Sequence, residues 1–227
     1  MIGPRRYNST CTMTTKQKSN SRLHPRFWAK ARQHLLAADP ALGLVITKCG
    51  SGKLLARDDA FFSLARSIVG QQISVKAAQS IWDRLEKNLG GVTANNVSVR
   101  TISELRKSGV TRQKSGYLID LAHHFLEGNL QKQDWQKLTD EEVISLVSRI
   151  KGIGPWTAQM FLIFHLLRPD VLPLGDIGIQ KAMGLHFNGG DRMTAQEMTN
   201  RAEPWRPWRS VASWYLWRSL DPLPVDY

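Results

Sequence analysis

Lys151-Gly152-Ile153-Gly154-Pro155-Trp156-Thr157-Ala158 lies between two stretches whose apolar residues recur three and four apart, the period of a helix with one buried face. Upstream, Thr139 followed by Glu142 has capping-box spacing, and Val143, Leu146, Val147 and Ile150 then form a stripe. Downstream, the helical pattern runs to about Leu167. Two helices joined through about three residues need a glycine-rich turn. Gly152 and Gly154 permit positive φ and close backbone approach, and Pro155 suits the first turn of the second helix. The stretch predicts a helical hairpin over about 141–167. The glycine pattern alone leaves two readings open. One is a tight hairpin that only packs; the other is a hairpin whose first-turn amides, at the favourable end of the helix macrodipole, bind a phosphate.

Outward from the hairpin, nearly every segment from Pro25 onward reads as helix, so the fold class is all-α. Pro25 opens a helix to about Ala38, with the next short connection beginning at Asp39 or Thr47. Asp58 and Asp59 are candidate N-caps for Phe61, Phe62, Leu64, Ala65, Ile68 and Val69, an apolar surface too broad for an exposed helix. Gly70-Gln71-Gln72-Ile73 interrupts the pattern, and Ser74 caps a helix with Val75, Ala78, Ile81, Trp82 and Leu85 on one side, ended by Gly90 and Gly91. Thr101 and Thr111 cap two more, the second carrying Tyr117, Leu118, Leu121, Ala122 and Phe125 and closing at Gly128. No internal repeat or long linker breaks residues 25–227, which read as one domain.

The chain has 227 residues, 42% of them hydrophobic and 22% charged, enough for a real core, and no apolar run approaches the roughly 20 residues of a membrane span. Two cysteines, Cys11 and Cys49, are too few for a disulfide framework or a four-thiolate iron-sulfur or zinc site, which points to a reducing compartment. The formal charge of +12 suggests a polyanionic partner, but it is unevenly spread. Arg5, Arg6, Lys16, Lys18, Arg22, Arg26, Lys30 and Arg32 all precede the first acid, Asp39, so the remainder is only mildly basic. Residues 1–24 read as a disordered basic segment; a transit peptide or a DNA-binding arm are the other readings, and Met13 is a candidate start. His123, His124 and His165 match no metal-binding pattern, so no catalytic metal is expected.

Three ordered stretches carry a resemblance: Gly152-Ile153-Gly154 leading into Trp156-Thr157-Ala158; an aspartate twenty positions past that tryptophan, in Leu174-Gly175-Asp176; and Trp205-Arg206-Pro207-Trp208-Arg209-Ser210. Together with Arg66-Ser67-Ile68-Val69-Gly70-Gln71-Gln72-Ile73-Ser74, they resemble the 3-methyladenine DNA glycosylase II family of the helix-hairpin-helix superfamily, over about Asp58 to Trp217. The resemblance implies two helical lobes flanking an active-site cleft. The β-rich N-terminal domain of the larger bacterial enzyme has no counterpart here, which matches the compact branch of the family. The implied partner is double-stranded DNA containing alkylated bases, bound by a monomer without a cofactor, in the cytoplasm at the nucleoid of a bacterium or in the nucleus of a eukaryote.

The implied chemistry is hydrolysis of the N-glycosidic bond of 3-methyladenine or 7-methylguanine, leaving an abasic site. Breaking that bond passes through an oxocarbenium-like state that needs a nearby carboxylate. Asp176 is the candidate, and a pure helix N-cap is the competing reading of the same residue. The resemblance places Trp217 in the base pocket with Trp156 beside the hairpin, and Met160 where the bacterial relative has a pocket aromatic. Gly152, Ile153, Gly154, Trp156 and Thr157 form the implied phosphate-binding hairpin. Gln71, Gln72 and Ile73 form the loop that enters DNA, with Gln72 at the inserted position. Strand-cutting relatives carry a nucleophilic lysine where this chain has Trp156, so no Schiff-base route is expected. Two alternatives stand beside this reading: a glycosylase for a deaminated or oxidised base, and a non-catalytic DNA-binding module.

Overall fold

The computed structural model describes residues 25–54 and 59–221, and for Val75 the backbone alone. Among these residues the regular structure is entirely helical. The α-helices are α1 (Trp28–Ala38), α2 (Pro40–Cys49), α3 (Ala60–Gly70), α4 (Val75–Leu89), α5 (Ala94–Ser98), α6 (Ile102–Arg106), α7 (Arg112–Leu126), α8 (Asp140–Val147), α9 (Pro155–Phe164), α10 (Ile177–Phe187), α11 (Ala195–Arg201) and α12 (Arg209–Leu220). The basic segment 1–24 and Asp58 lie outside the described residues.

Helix starts follow the side-chain chemistry. Asp59 Oδ1 accepts from the Phe62 amide at 2.7 Å, and Ser74 and Thr111 cap α4 and α7. Thr101 with Glu104 and Thr139 with Glu142 form reciprocal capping boxes. Gly90 ends α4 in the left-handed conformation. Helix α3 is buried on all sides from Ser63 to Val69, which the breadth of its apolar surface foretells.

Several boundaries differ from expectation, among them the start of α1, at Trp28 rather than Pro25, and the end of α7, at Leu126 rather than Gly128. Asp39 opens a helix directly, its Oδ1 accepting from the amides of Ala41 and Leu42, so no connection follows α1. Thr47 lies within α2, its hydroxyl turned back onto the Gly43 carbonyl at 2.8 Å. The hairpin turn spans 148–154 rather than about three residues, because single-turn bonds from Ile150 to Val147 and from Ile153 to Ile150 carry the chain beyond α8. Its second helix stops at Phe164, short of Leu167. There the Arg168 amide closes on the Leu162 carbonyl at 2.9 Å, with Leu167 at φ 54°.

The helices sort into two lobes. In one, α3 packs on α4, α7 and α9, α7 also covers α5 and α6, and α8 lies on α9. In the other, α1 and α2 join α10 and α12 from the far end of the chain. The second lobe is tied by Asp39, only 3% exposed. Besides capping α2, its carboxylate accepts from Arg201 Nη2 and from Trp205 Nε1, both at 2.7 Å. Burial alone would push this carboxyl up; the bonds from Arg201, Trp205 and the Leu42 amide outweigh it and hold the group below the ordinary aspartate range.

Because the folded form titrates below the unfolded one, this stabilisation is complete above the unfolded value of about 3.9 and drains away as pH falls through the folded value. Asp39→Ala removes a cap and leaves Arg201 and Trp205 without their acceptor. The expected loss is on the order of 2–3 kcal/mol in urea unfolding at pH 7. The difference from the wild type should shrink below about pH 4.

Candidate active site

The end of α3, the hairpin turn, the start of α10 and one residue of α12 enclose a cleft of about 620 Å³. It reaches Arg66, Gln71, Gln72 and Ile73 on one side, Gly152, Gly154, Trp156 and Thr157 on the second, and Gly175 to Gly178 with Trp217 on the third. Lysine is absent from this lining among the described residues. Lys151 points elsewhere, its Nζ 3.5 Å from Asp120.

Asp176 caps α10, with Oδ1 accepting from the Ile179 amide at 2.8 Å. The same oxygen accepts from Trp217 Nε1 at 2.8 Å, and Oδ2 accepts from Trp156 Nε1 at 2.7 Å. The carboxylate is therefore gripped by three donors, one from its own helix and one each from α9 and α12. It lines the cleft while only 7% exposed. Gly178 leaves room for this grip: a Cβ there would stand 3.0 Å from Asp176 Oδ1 and 3.1 Å from Trp217 Cδ1, closer than ordinary contact. A glycine inside a helix was the one sequence signal for this close approach.

The two tryptophans divide the work. Trp217 is nearly enclosed, its ring 5.6 Å from that of Phe164, whereas Trp156 is half-buried and faces the cleft more openly. Met160 does not line the cleft. It is 1% exposed, because α9 is enclosed by its neighbours one turn beyond Trp156, and its expected place in a base pocket is corrected to the core.

The Trp205–Ser210 stretch does not reach the cleft; it fastens the segment leading to Asp176. Arg209 grips Asp170 through four bonds: Nε to Oδ1 at 2.7 Å, Nη2 to Oδ2 at 2.9 Å and to the carbonyl at 3.0 Å, and its own amide to Oδ1 at 3.3 Å. Ser210 Oγ donates to the Arg168 carbonyl and accepts from the Val171 amide. Trp208 stacks on Phe27 at 5.2 Å.

In the hairpin turn the two glycines do different things. Gly152 has φ 83°, and a Cβ on it would fall 2.1 Å from the Tyr117 ring. Gly154 is extended, at φ −95° and ψ −179°, so its expected positive φ is corrected; its Cβ side faces open space. Gly154 brings no side-chain oxygen to the start of α9, unlike the residues that begin α2 to α8, α10 and α11. Ile153 and Thr157 turn their side chains inward. Opposite the hairpin, Gln71 Nε2 donates to the Gly152 carbonyl at 2.8 Å and to Thr157 Oγ1 at 3.3 Å. Gln72 is exposed at φ 59°, and Ile73 is exposed beside it. Arg66 also lies at the cleft, its guanidinium over Trp82 and bonded to Gln79, a placement the apolar reading of α3 passed over.

A hairpin with a glycine turn, set across a cleft from a clamped aspartate, invites comparison with known folds. The family model described as HhH-GPD superfamily base excision DNA repair protein matches residues 65–207. The chain belongs to that superfamily. A DNA-3-methyladenine glycosylase of Saccharomyces cerevisiae is 31% identical, over 86% of this chain and 80% of the yeast protein. Among solved structures, the Schizosaccharomyces pombe 3-methyladenine DNA glycosylase Mag1 in complex with abasic DNA aligns with a TM-score of 0.77 at 29% identity, covering 87% of this chain and 98% of that one. A DNA-3-methyladenine glycosidase from Bacillus halodurans aligns with a TM-score of 0.74 at 32% identity, covering 84% and 89%. The all-helical HhH-GPD fold and its two lobes are thus those of glycosylases.

The hairpin glycines separate by measurement. Gly152→Ala must accept both an unfavourable φ and a collision with Tyr117, and should cost about 2–4 kcal/mol in urea unfolding. Gly154→Ala meets neither obstacle and should stay within about 1 kcal/mol of the wild type.

Proposed function

We propose that the protein is a monofunctional DNA glycosylase of base excision repair that hydrolyses the N-glycosidic bond of alkylated purines, 3-methyladenine and 7-methylguanine among them, in double-stranded DNA. The observation that carries this reading is the Asp176 carboxylate, fixed on the wall of a nucleotide-sized cleft by Trp156, Trp217 and the Ile179 amide. A module that only held DNA backbone would have no use for a charge so placed.

The duplex binds with one phosphate at the uncapped start of α9, where Gly154 leaves room for it to approach the backbone. The damaged nucleotide turns out of the stack into the cleft, and Gln72 fills the gap it leaves. As the bond between C1′ and the base nitrogen lengthens, positive charge grows on the sugar, and the fixed carboxylate stabilises it without reorganising. Three of the carboxylate's roughly four acceptor positions are occupied, which leaves capacity to orient one water. The water oxygen bonds to C1′, its proton passes to solvent, and the purine leaves with the bonding electrons. An alkylated purine that carries ring charge departs neutral, so it needs no acid.

Trp156, half-buried in the cleft wall, attracts such a cationic base by about 0.5–2 kcal/mol more than a neutral one. Trp217, nearly enclosed where it lines the cleft, holds the carboxylate from the other side of the site. Among the described residues no lysine lines the cleft, so this reading includes no attack by an amine and no strand cutting.

Incubation with methylated duplex DNA, followed by chromatography of the released bases, tests the reading. The wild type should release 3-methyladenine and 7-methylguanine, and Asp176→Asn should lower the single-turnover rate at least about 100-fold while remaining folded by circular dichroism. Absence of methylated purines from the wild-type reaction would sink the activity; full release by the variant would sink the assignment of Asp176.

A further inference from the structure

Lys114 sits in the first turn of α7, well away from Asp176 in sequence and outside the cleft lining, yet its ammonium is not spent on solvent. Its Nζ donates to the Val69 carbonyl at 2.9 Å and to the Gln71 carbonyl at 2.6 Å. Val69 belongs to the last turn of α3, and Gln71 is the residue that follows it. A cation at this end of α3 satisfies carbonyls that the helix leaves unpaired and opposes the negative pole of its macrodipole. Burial lowers the Lys114 pKa, in keeping with a group withdrawn from water for an internal task.

Two anchors meet at Gln71. Its carbonyl is held by Lys114 on α7, and its side-chain amide is held by the Gly152 carbonyl and Thr157 of the hairpin. Fixed on both sides, the chain emerges at Gln72 in the left-handed region, an unfavourable place for a residue with a Cβ, and turns that side chain outward. We propose that Lys114 is a positioning residue for excision: it clamps the α3–α4 loop so that Gln72 stands ready to enter the space vacated by the extruded nucleotide and to hydrogen-bond, through its amide, to the partner base left unpaired there. The proposal rests on the glycosylase reading above and assigns Lys114 no contact with the substrate.

A role confined to the loop predicts a defect that depends on the duplex. Single-turnover excision is compared for one alkylated purine in two settings, paired with its normal partner and facing an abasic-site analogue, where no partner base is orphaned. Lys114→Met should slow excision from the paired substrate roughly 10- to 100-fold, and from the second substrate by no more than about threefold. Lys114→Arg, which keeps a cation with several donors, should recover much of the rate; should the methionine variant fail to fold, the arginine variant carries the same comparison with a smaller loss. In a Gln72→Ala background the Lys114 substitution should add little further loss. Equal losses on both substrates, or losses that add fully to those of Gln72→Ala, would overturn the proposal. A wild-type protein that releases no alkylated purine from either substrate would instead remove the glycosylase reading beneath it.

Discussion

The rest of the structure is arranged around a buried carboxylate shared by three donors. Asp176 cannot be enclosed at low cost unless its oxygens are bonded, and the Ile179 amide, Trp156 and Trp217 meet that need from three separate helices. Each of those helices must then hold its place to within a fraction of an ångström. The α9 tryptophan belongs to one lobe and the α12 tryptophan to the other, so the carboxylate is also a joint between the lobes. Gly178 leaves room beside it, where a Cβ would crowd both Asp176 and Trp217.

The supports behind this joint are themselves charged pairs and caps. Arg209 holds Asp170, and Ser210 stitches the segment after Arg168 to the start of α12, so that Trp217, two turns further along, reaches Asp176 from a fixed base. Asp39 performs a comparable task at the back of the same lobe, joining α2 to Arg201 and Trp205. Much of what the Trp205–Ser210 stretch contributes is therefore framework.

On the other wall, Gln71 is the counterpart of these ties. Its side chain bridges the loop after α3 to the hairpin, so the element proposed to enter the duplex and the element proposed to grip its backbone are tied directly to each other. Such coupling suits an enzyme that must hold a strand and push against its stack at the same time. The exposed tips, Gln72 and Ile73 on one side and Ile177 at 81% exposure on the other, stand at the rim of the cleft between these walls.

By itself the sequence determined the helical class, most helix starts and the hairpin. These follow from local chemistry: Thr139 with Glu142, Thr101 with Glu104 and Asp59 need only their own neighbours along the chain to act as caps. The same signature at Thr194 and Glu197 marked α11 and was passed over. The order and spacing of Gly152, Gly154, Trp156 and Asp176 carried the family resemblance that made the candidate site legible; the residues alone left Asp176 open to reading as a simple helix cap. What only the tertiary structure decided are relations between distant segments: that Met160 is core, that Trp156 and Trp217 grip one carboxylate, that Gly154 is extended while Gly152 alone turns, and that Lys114 reaches back to Val69 and Gln71. Periodicity reports which face of a helix is apolar, but which neighbour covers that face, and which polar tip meets which, depends on how the lobes close on each other.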